Sequence, residues 1–229
     1  MAKDLTPKGS IIYKLLILIL AVALVLTILY PNRLWEEEKA HTLECHSNME
    51  HILYAELTFL SENNAYCDTL SKVIDFIKDD STGKRIRTFV TSDSVLAVNV
   101  FNYFKTTGDS FAMAIVDTLR EYGRQHDLDT TAALVMDSLR LANSSYGMKI
   151  DSIALATLDQ ITFCPTTGEE YKIFVNNDST FKKITIQCPL DSLDMLQVKK
   201  DFVKSTLGGL ELKNHGSIDE NGEKSWLKK

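Results

Sequence analysis

The sequence predicts an α+β fold: an N-terminal transmembrane helix continuing into a long stem helix, then a helical insertion, then a small C-terminal antiparallel β-sheet. Three observations predict it. An unbroken apolar run fills residues 15–29. Apolar positions at helical period follow to about residue 143. Short β-branched and aromatic runs separated by turn residues occupy the last third.

The apolar run reads LLILILAVALVLTIL, extended by Ile11, Ile12, Tyr13 and Tyr30. At about 1.5 Å per residue, some 20 residues cross a ~30 Å hydrocarbon core. Lys14, near one end, can snorkel to the head groups. A cleaved secretory signal would end at a small-x-small site. The triplet Ala21-Val22-Ala23 lies in mid-run, where cleavage would leave a hydrophobic stub, so the segment is read as retained. Lys3, Lys8 and Lys14 precede or enter the run, whereas Glu36, Glu37, Glu38 and Glu44 follow it. The positive-inside rule then predicts a cytoplasmic N-terminus and residues 32–229 on the far side.

Pro31 can kink the helix as it leaves the apolar run. Residues 34–62 read as the stem, with Met49, Ile52, Leu53, Leu57 and Leu60 on one face and Asn63-Asn64 as the stop. A second helix is expected from an Asp68 cap to about Asp79, burying Leu70, Val73, Ile74 and Ile77. Ser81-Thr82-Gly83 breaks the pattern, and residues 84–92 fit either state. Residues 94–106, 110–126 and 129–143 read as helices. After Gly147 the texture turns to β. Tyr171–Val175 and Phe181–Gln187 predict a hairpin, a helix follows over about 191–207 ending at Gly208-Gly209, and a second hairpin turns at Asn221-Gly222. An Asp-Ser/Thr-aliphatic tripeptide recurs at Asp68, Asp93, Asp117, Asp137, Asp151 and Asp191 without fixed period, and reads as helix caps and turn starts.

The organisation is therefore a short basic leader-like segment over 1–10, a transmembrane helix over 11–30, and the stem and following helix over 31–80. The helical insertion covers 81–150, and a small α+β region with β-hairpins covers 151–229. With 229 residues, 45% of them apolar, the chain can bury one well-packed domain besides the anchor. The net charge is −6, and residues 1–30 carry +2, which leaves the remainder at about −8. An acidic domain without a basic stripe argues against nucleic acid as a partner, since that affinity rests on Lys and Arg at phosphates.

Several of these features coincide with a known pattern. Lys8-Gly9 precedes Ser10-Ile11-Ile12, Pro31 is the 22nd residue counting from Ser10, and the stem reads Asn48-Met49-Glu50-His51-Ile52-Leu53-Tyr54-Ala55-Glu56-Leu57 with Tyr66 beyond it. Cys164-Pro165-Thr166-Thr167-Gly168 with Tyr171, Cys188-Pro189 and His215-Gly216-Ser217-Ile218 complete the set. On these residues the chain resembles the type IV pilin and type II secretion pseudopilin superfamily, over about 8–80 and 160–229. The resemblance implies a pilin-like fold, leader processing between Gly9 and Ser10, and helix pairing through the segment holding Lys14 and Pro31. It implies as partners the membrane and either other pilin-like subunits or an inner-membrane secretion platform. Lys14 stands where the family usually carries Glu, which pairs with a neighbouring amino terminus. A cation there repels that amine, so a capping or non-polymerising subunit fits better than a major one.

The alternative is a signal-anchored extracytoplasmic ligand-binding or enzymatic domain unrelated to filaments, whose function would lie in the unmatched block 84–150; on the leading reading catalytic chemistry is not expected. The sequence holds no Gly-rich phosphate loop, no nucleophile elbow and no carboxylate pair of distinctive context. His126 and His215 lack sequence-local partners. Cys164 and Cys188 flank the strands of one proposed hairpin, which brings their Cα atoms within disulfide range; a bridge between them is the expectation. The alternative is a zinc knuckle, of which each segment holds only one of the usual two cysteines, and neither a metal nor a cofactor is expected. Cys45 and Cys67 are not expected to pair. Glu37, His41 and Cys45, spaced by four, share a helix face that reads as half a metal site or, more simply, as solvated stem.

Overall fold

The computed structural model describes residues 9–125, 132–178 and 180–228. Expectations for Lys3, Lys8 and His126, and for the side chain of Ser10, lie outside the described residues. The fold is α+β and mostly helical, with a long N-terminal apolar helix and a three-stranded antiparallel sheet. By contacts the chain divides into two compact units, Met1–Thr42 with Leu190–Asn214, and Leu43–Pro189 with His215–Lys229.

Helix α1 runs unbroken from Gly9 to Asn63, with Pro31 inside it. Its first half is long and apolar enough to cross a membrane, and residues 13–25 and 27–29 are exposed along it. In the same unit α8 (Ser192–Lys200) starts on a reciprocal capping box between Asp191 and Asp194. The helix expected over 191–207 is split. It stops at Asp201, which caps a π turn over Val203–Leu207, and Gly208 then lies so close to Leu34 that a Cβ would fall 2.6 Å from that side chain.

In the second unit the last third of α1 forms the core, burying Cys45, Asn48, Met49, Ile52, Leu53, Ala55 and Glu56. Their 3–4 spacing shares Met49, Ile52 and Leu53 with the predicted stripe and adds polar positions, whereas Leu57 and Leu60 of that stripe are half-buried. Helix α2 (Leu70–Lys78) buries Leu70, Val73, Ile74 and Ile77 as expected. Its cap is Thr69 rather than Asp68, whose carboxylate instead accepts from the Thr69 hydroxyl. The ambiguous stretch is helix α3 (Lys84–Ser92), entered through Gly83 at φ +69°, and α4 (Ser94–Thr106) and α5 (Ser110–Gln125) follow. Helix α6 (Ala132–Ala142) packs on α3 and on α7 (Ser144–Gln160).

Helix α7 corrects the expectation of β structure after Gly147. Gly147, Ile150, Ala154 and Leu158 recur at helical spacing and are all buried, and Gly147 serves as a flat spot against Arg140. Only Asp93 and Asp191 of the six recurring aspartates cap helices. Asp137 and Asp151 sit within helices and pair with Arg87 and Arg140.

The sheet has the order β1-β2-β3. Strands β1 (Lys172–Asn176) and β2 (Lys183–Gln187) pair antiparallel with Lys172 opposite Gln187, as the hairpin predicted. The tail turns back on itself at Asn221-Gly222 as the Asn-Gly pair predicts, with the Gly222 N–H donating to Asp219 O and the Asp219 N–H to Glu223 O. Strand β3 (Ser217–Asp219) adds to β2, with Ile186 opposite Ile218, and the turn at Gly222 returns only one bridge, from Lys224 to Ile218. Ile184, Ile186 and Ile218 face the core.

Candidate metal centre

Four chain segments converge within the second unit. Cys45 projects from α1. Cys164 opens the turn after α7, where its carbonyl accepts the Gly168 N–H at 2.8 Å and its own N–H donates to Glu169 O at 2.9 Å. Gly168 sits at φ +70°, the left-handed conformation that closes this tight turn. Cys188 follows β2, and its N–H donates to Gly216 O at 3.0 Å, which places His215 beside it. The sulfurs of Cys45, Cys164 and Cys188 and a ring nitrogen of His215 all lie within 4.8 Å of one another, and all four residues are buried.

The Cys164 and Cys188 sulfurs are 3.9 Å apart and both are free thiols. A disulfide needs ~2.05 Å, so the expected bridge is not formed here. The sequence missed that a third thiol stands against the same pair. Cys164 is held well below the ordinary thiol range, first by Cys188 and then by Cys45, with His215 also facing it. Cys45 is pushed up, foremost by Cys164 and Cys188. Three thiols and an imidazole from four segments make a donor set of three sulfurs and one nitrogen, the type that suits a tetrahedral divalent ion.

The surrounding residues fix these donors. The His46 Nε2–H donates to the His215 carbonyl at 2.8 Å, and its ring stacks on Trp226 at 4.0 Å with 5° between planes. Burial lowers the His46 pKa, which favours the neutral ring in that stack. Lys224 pairs with Glu50 at 2.7 Å, tying the tail to α1. Gly216 is at φ +96°, and a Cβ there would come 2.5 Å from Ser225 Oγ and 3.0 Å from the Trp226 ring. The Tyr171 hydroxyl lies against Cys45 and Asn48, and burial pushes its pKa up. The Cys-Pro segments and the His-Gly-Ser-Ile tail, separate in sequence, therefore meet at one place. Glu37 and His41 are not among the donors. Cys67 is half-buried and its thiol donates to Thr69 O.

Away from the four donors, His51, Glu56, Thr58 and Asp93 are also buried among the described residues of this unit. Asp93 caps α4 through the N–H groups of Val95 and Leu96 and meets His51 Nδ1 at 2.5 Å, while Ser47 Oγ lies 3.3 Å from His51 Nε2. That order matches a nucleophile, base and orienting acid. Ser47, however, sits inside α1, where neighbouring N–H groups are committed to helix bonds, so no donor pair faces an oxyanion. His51 is 2% exposed, and the three residues act as a tie between α1 and α4. Glu56 accepts the Cys67 N–H at 3.0 Å, and burial pushes its pKa up to about 7 against the effect of that bond.

Lys14 is exposed on the apolar half of α1 and Pro31 lies at its far end, while Gly9 and Ser10 begin the helix. Compared with known proteins, the chain matches no family model, no curated protein and no solved structure.

Proposed function

We propose that the chain is a pilin-like or pseudopilin-like, single-pass envelope protein of a bacterial inner membrane, acting through protein–protein contacts as a minor or non-polymerising subunit. Its N-terminus lies in the cytoplasm and its acidic domain on the far side. The apolar half of α1 packs with other pilin-like helices or a secretion platform, and the domain faces cargo or the envelope. No catalytic step belongs to this reading.

One observation carries it. A single helix, α1, offers apolar exposed surface over residues 15–25 and 27–29 and then forms the buried centre of an α+β unit that ends in an antiparallel sheet. A helix built only to anchor a domain has no need to supply that domain's core. A cleft bordered by Val98, Phe101 and Arg120, where the Arg120 guanidinium lies 4.4 Å over the Phe101 ring, is where the ligand-binding alternative would be sought.

The test is the N-terminal mass of the protein isolated from its own membrane. The expected mature terminus is Ser10. A chain beginning at Met1 contradicts the pilin-like reading and leaves α1 as a fixed anchor.

A further inference from the structure

We propose that Cys45, Cys164, Cys188 and His215 together bind one structural zinc ion. A tetrahedral zinc site has Zn–S near ~2.3 Å and Zn–N near ~2.0 Å, which sets donor–donor edges of roughly 3.6–3.8 Å. The observed Cys164–Cys188 edge is 3.9 Å, and no donor pair exceeds 4.8 Å, so a closed site needs adjustments of no more than about an ångström.

The bridged alternative leaves more unexplained. A Cys164–Cys188 disulfide would pull two sulfurs together and leave the Cys45 thiol and the His215 imidazole facing an oxidised pair inside the core. A zinc ion uses all four donors at once. It is held by three thiolate sulfurs and one imidazole nitrogen, any remaining thiol protons leaving to solvent, and has no position left for substrate, the arrangement of a structural rather than a catalytic centre.

The ligand order gives the ion its task. Between Cys45 and Cys164 lies the whole helical block from α2 to α7, and between Cys188 and His215 lie α8 and the π turn. Both excursions leave from and return to the metal. The ion clamps the stem helix to the turn after α7, the end of β2 and the start of β3. This clamp goes beyond the pilin-like reading, which requires no metal.

The experiment uses the full chain purified in detergent without chelators, with metal content measured by elemental mass spectrometry. One zinc per chain is expected. Loading with Co(II) should give the intense visible bands of a tetrahedral thiolate site. Alkylation should reach Cys67 but spare Cys45, Cys164 and Cys188 until a strong chelator is added. Cys45→Ser should lose the metal, His215→Ala should lose it or bind it far more weakly, and His215→Cys should restore it, while Cys67→Ser keeps one equivalent. Because Cys45→Ser can also fail by misfolding, the Co(II) spectrum of the unaltered chain stands as the independent readout. The proposal is overturned by a chain that takes up neither ion, whether its mass is two hydrogens short with Cys164 and Cys188 linked or three alkylatable thiols remain.

Discussion

Replacing Glu56 by glutamine should make the protein more stable, and increasingly so as pH rises. Glu56 is fully buried, and one carboxylate oxygen holds the Cys67 N–H while the other meets no hydrogen-bond partner. Its folded pKa of about 7 lies above the ordinary value of 4.5, so the folded state binds the proton more tightly than the unfolded chain. Below both values the group contributes no pH dependence. As pH rises past 4.5 the unfolded chain ionises first and stability falls, levelling off once the folded group also ionises near 7. At ~1.4 kcal/mol per pKa unit the full loss is about 3 kcal/mol, of which about 2 kcal/mol falls between about pH 5.5 and about pH 8. Glutamine keeps a carbonyl for the Cys67 N–H and removes the titration. Urea unfolding of both full chains in detergent, followed by near-UV circular dichroism at several pH values, isolates the effect because the other titrating groups are shared. The variant should gain about 2 kcal/mol on the parent across that window. Parallel pH profiles would refute the argument and show that Glu56 is solvated or ion-paired when folded.

Asp93→Ala removes the cap of α4 and leaves His51 buried without its acid, so it should cost about 3–5 kcal/mol in the same unfolding assay; a loss below about 1 kcal/mol would mean the pair contributes only a cap. Gly216→Ala forces a Cβ toward Ser225 and Trp226 at a left-handed φ. It should cost about 1–3 kcal/mol and disturb the His46–Trp226 stack, read as a changed Trp226 fluorescence, whereas an unchanged spectrum and stability would contradict the crowding.

How much was legible depended on the range of the signal. The apolar run, the buried face of α2, the whole of α4 and the β1–β2 hairpin rest on local periodicity and turn chemistry, and all appear where the residues place them. Gly147 misled because glycine is a weak helix former, and here the burial of Gly147, Ile150, Ala154 and Leu158 along one face of α7 outweighs that cost. The Asn221-Gly222 turn is where the residues place it, with Lys224 returning to Ile218, but a local turn signal carries nothing about the non-local pairing of β3 with β2. At the candidate centre Cys164, Cys188 and His215 stood out by their Pro and Gly neighbours. Cys45 did not, since the helical block separates it from Cys164, and no local spacing announces a contact across that distance. The four-residue spacing of Glu37, His41 and Cys45 pointed to a face of α1 that supplies only one of the four donors.

A metal-centred clamp joining the stem helix to the C-terminal sheet is the central claim, and X-ray absorption at the zinc edge of the purified full chain tests it most directly. The prediction is a shell of three sulfurs at ~2.3 Å and one nitrogen at ~2.0 Å. A first shell made only of oxygen and nitrogen ligands would contradict it and return the three thiols to a merely buried cluster.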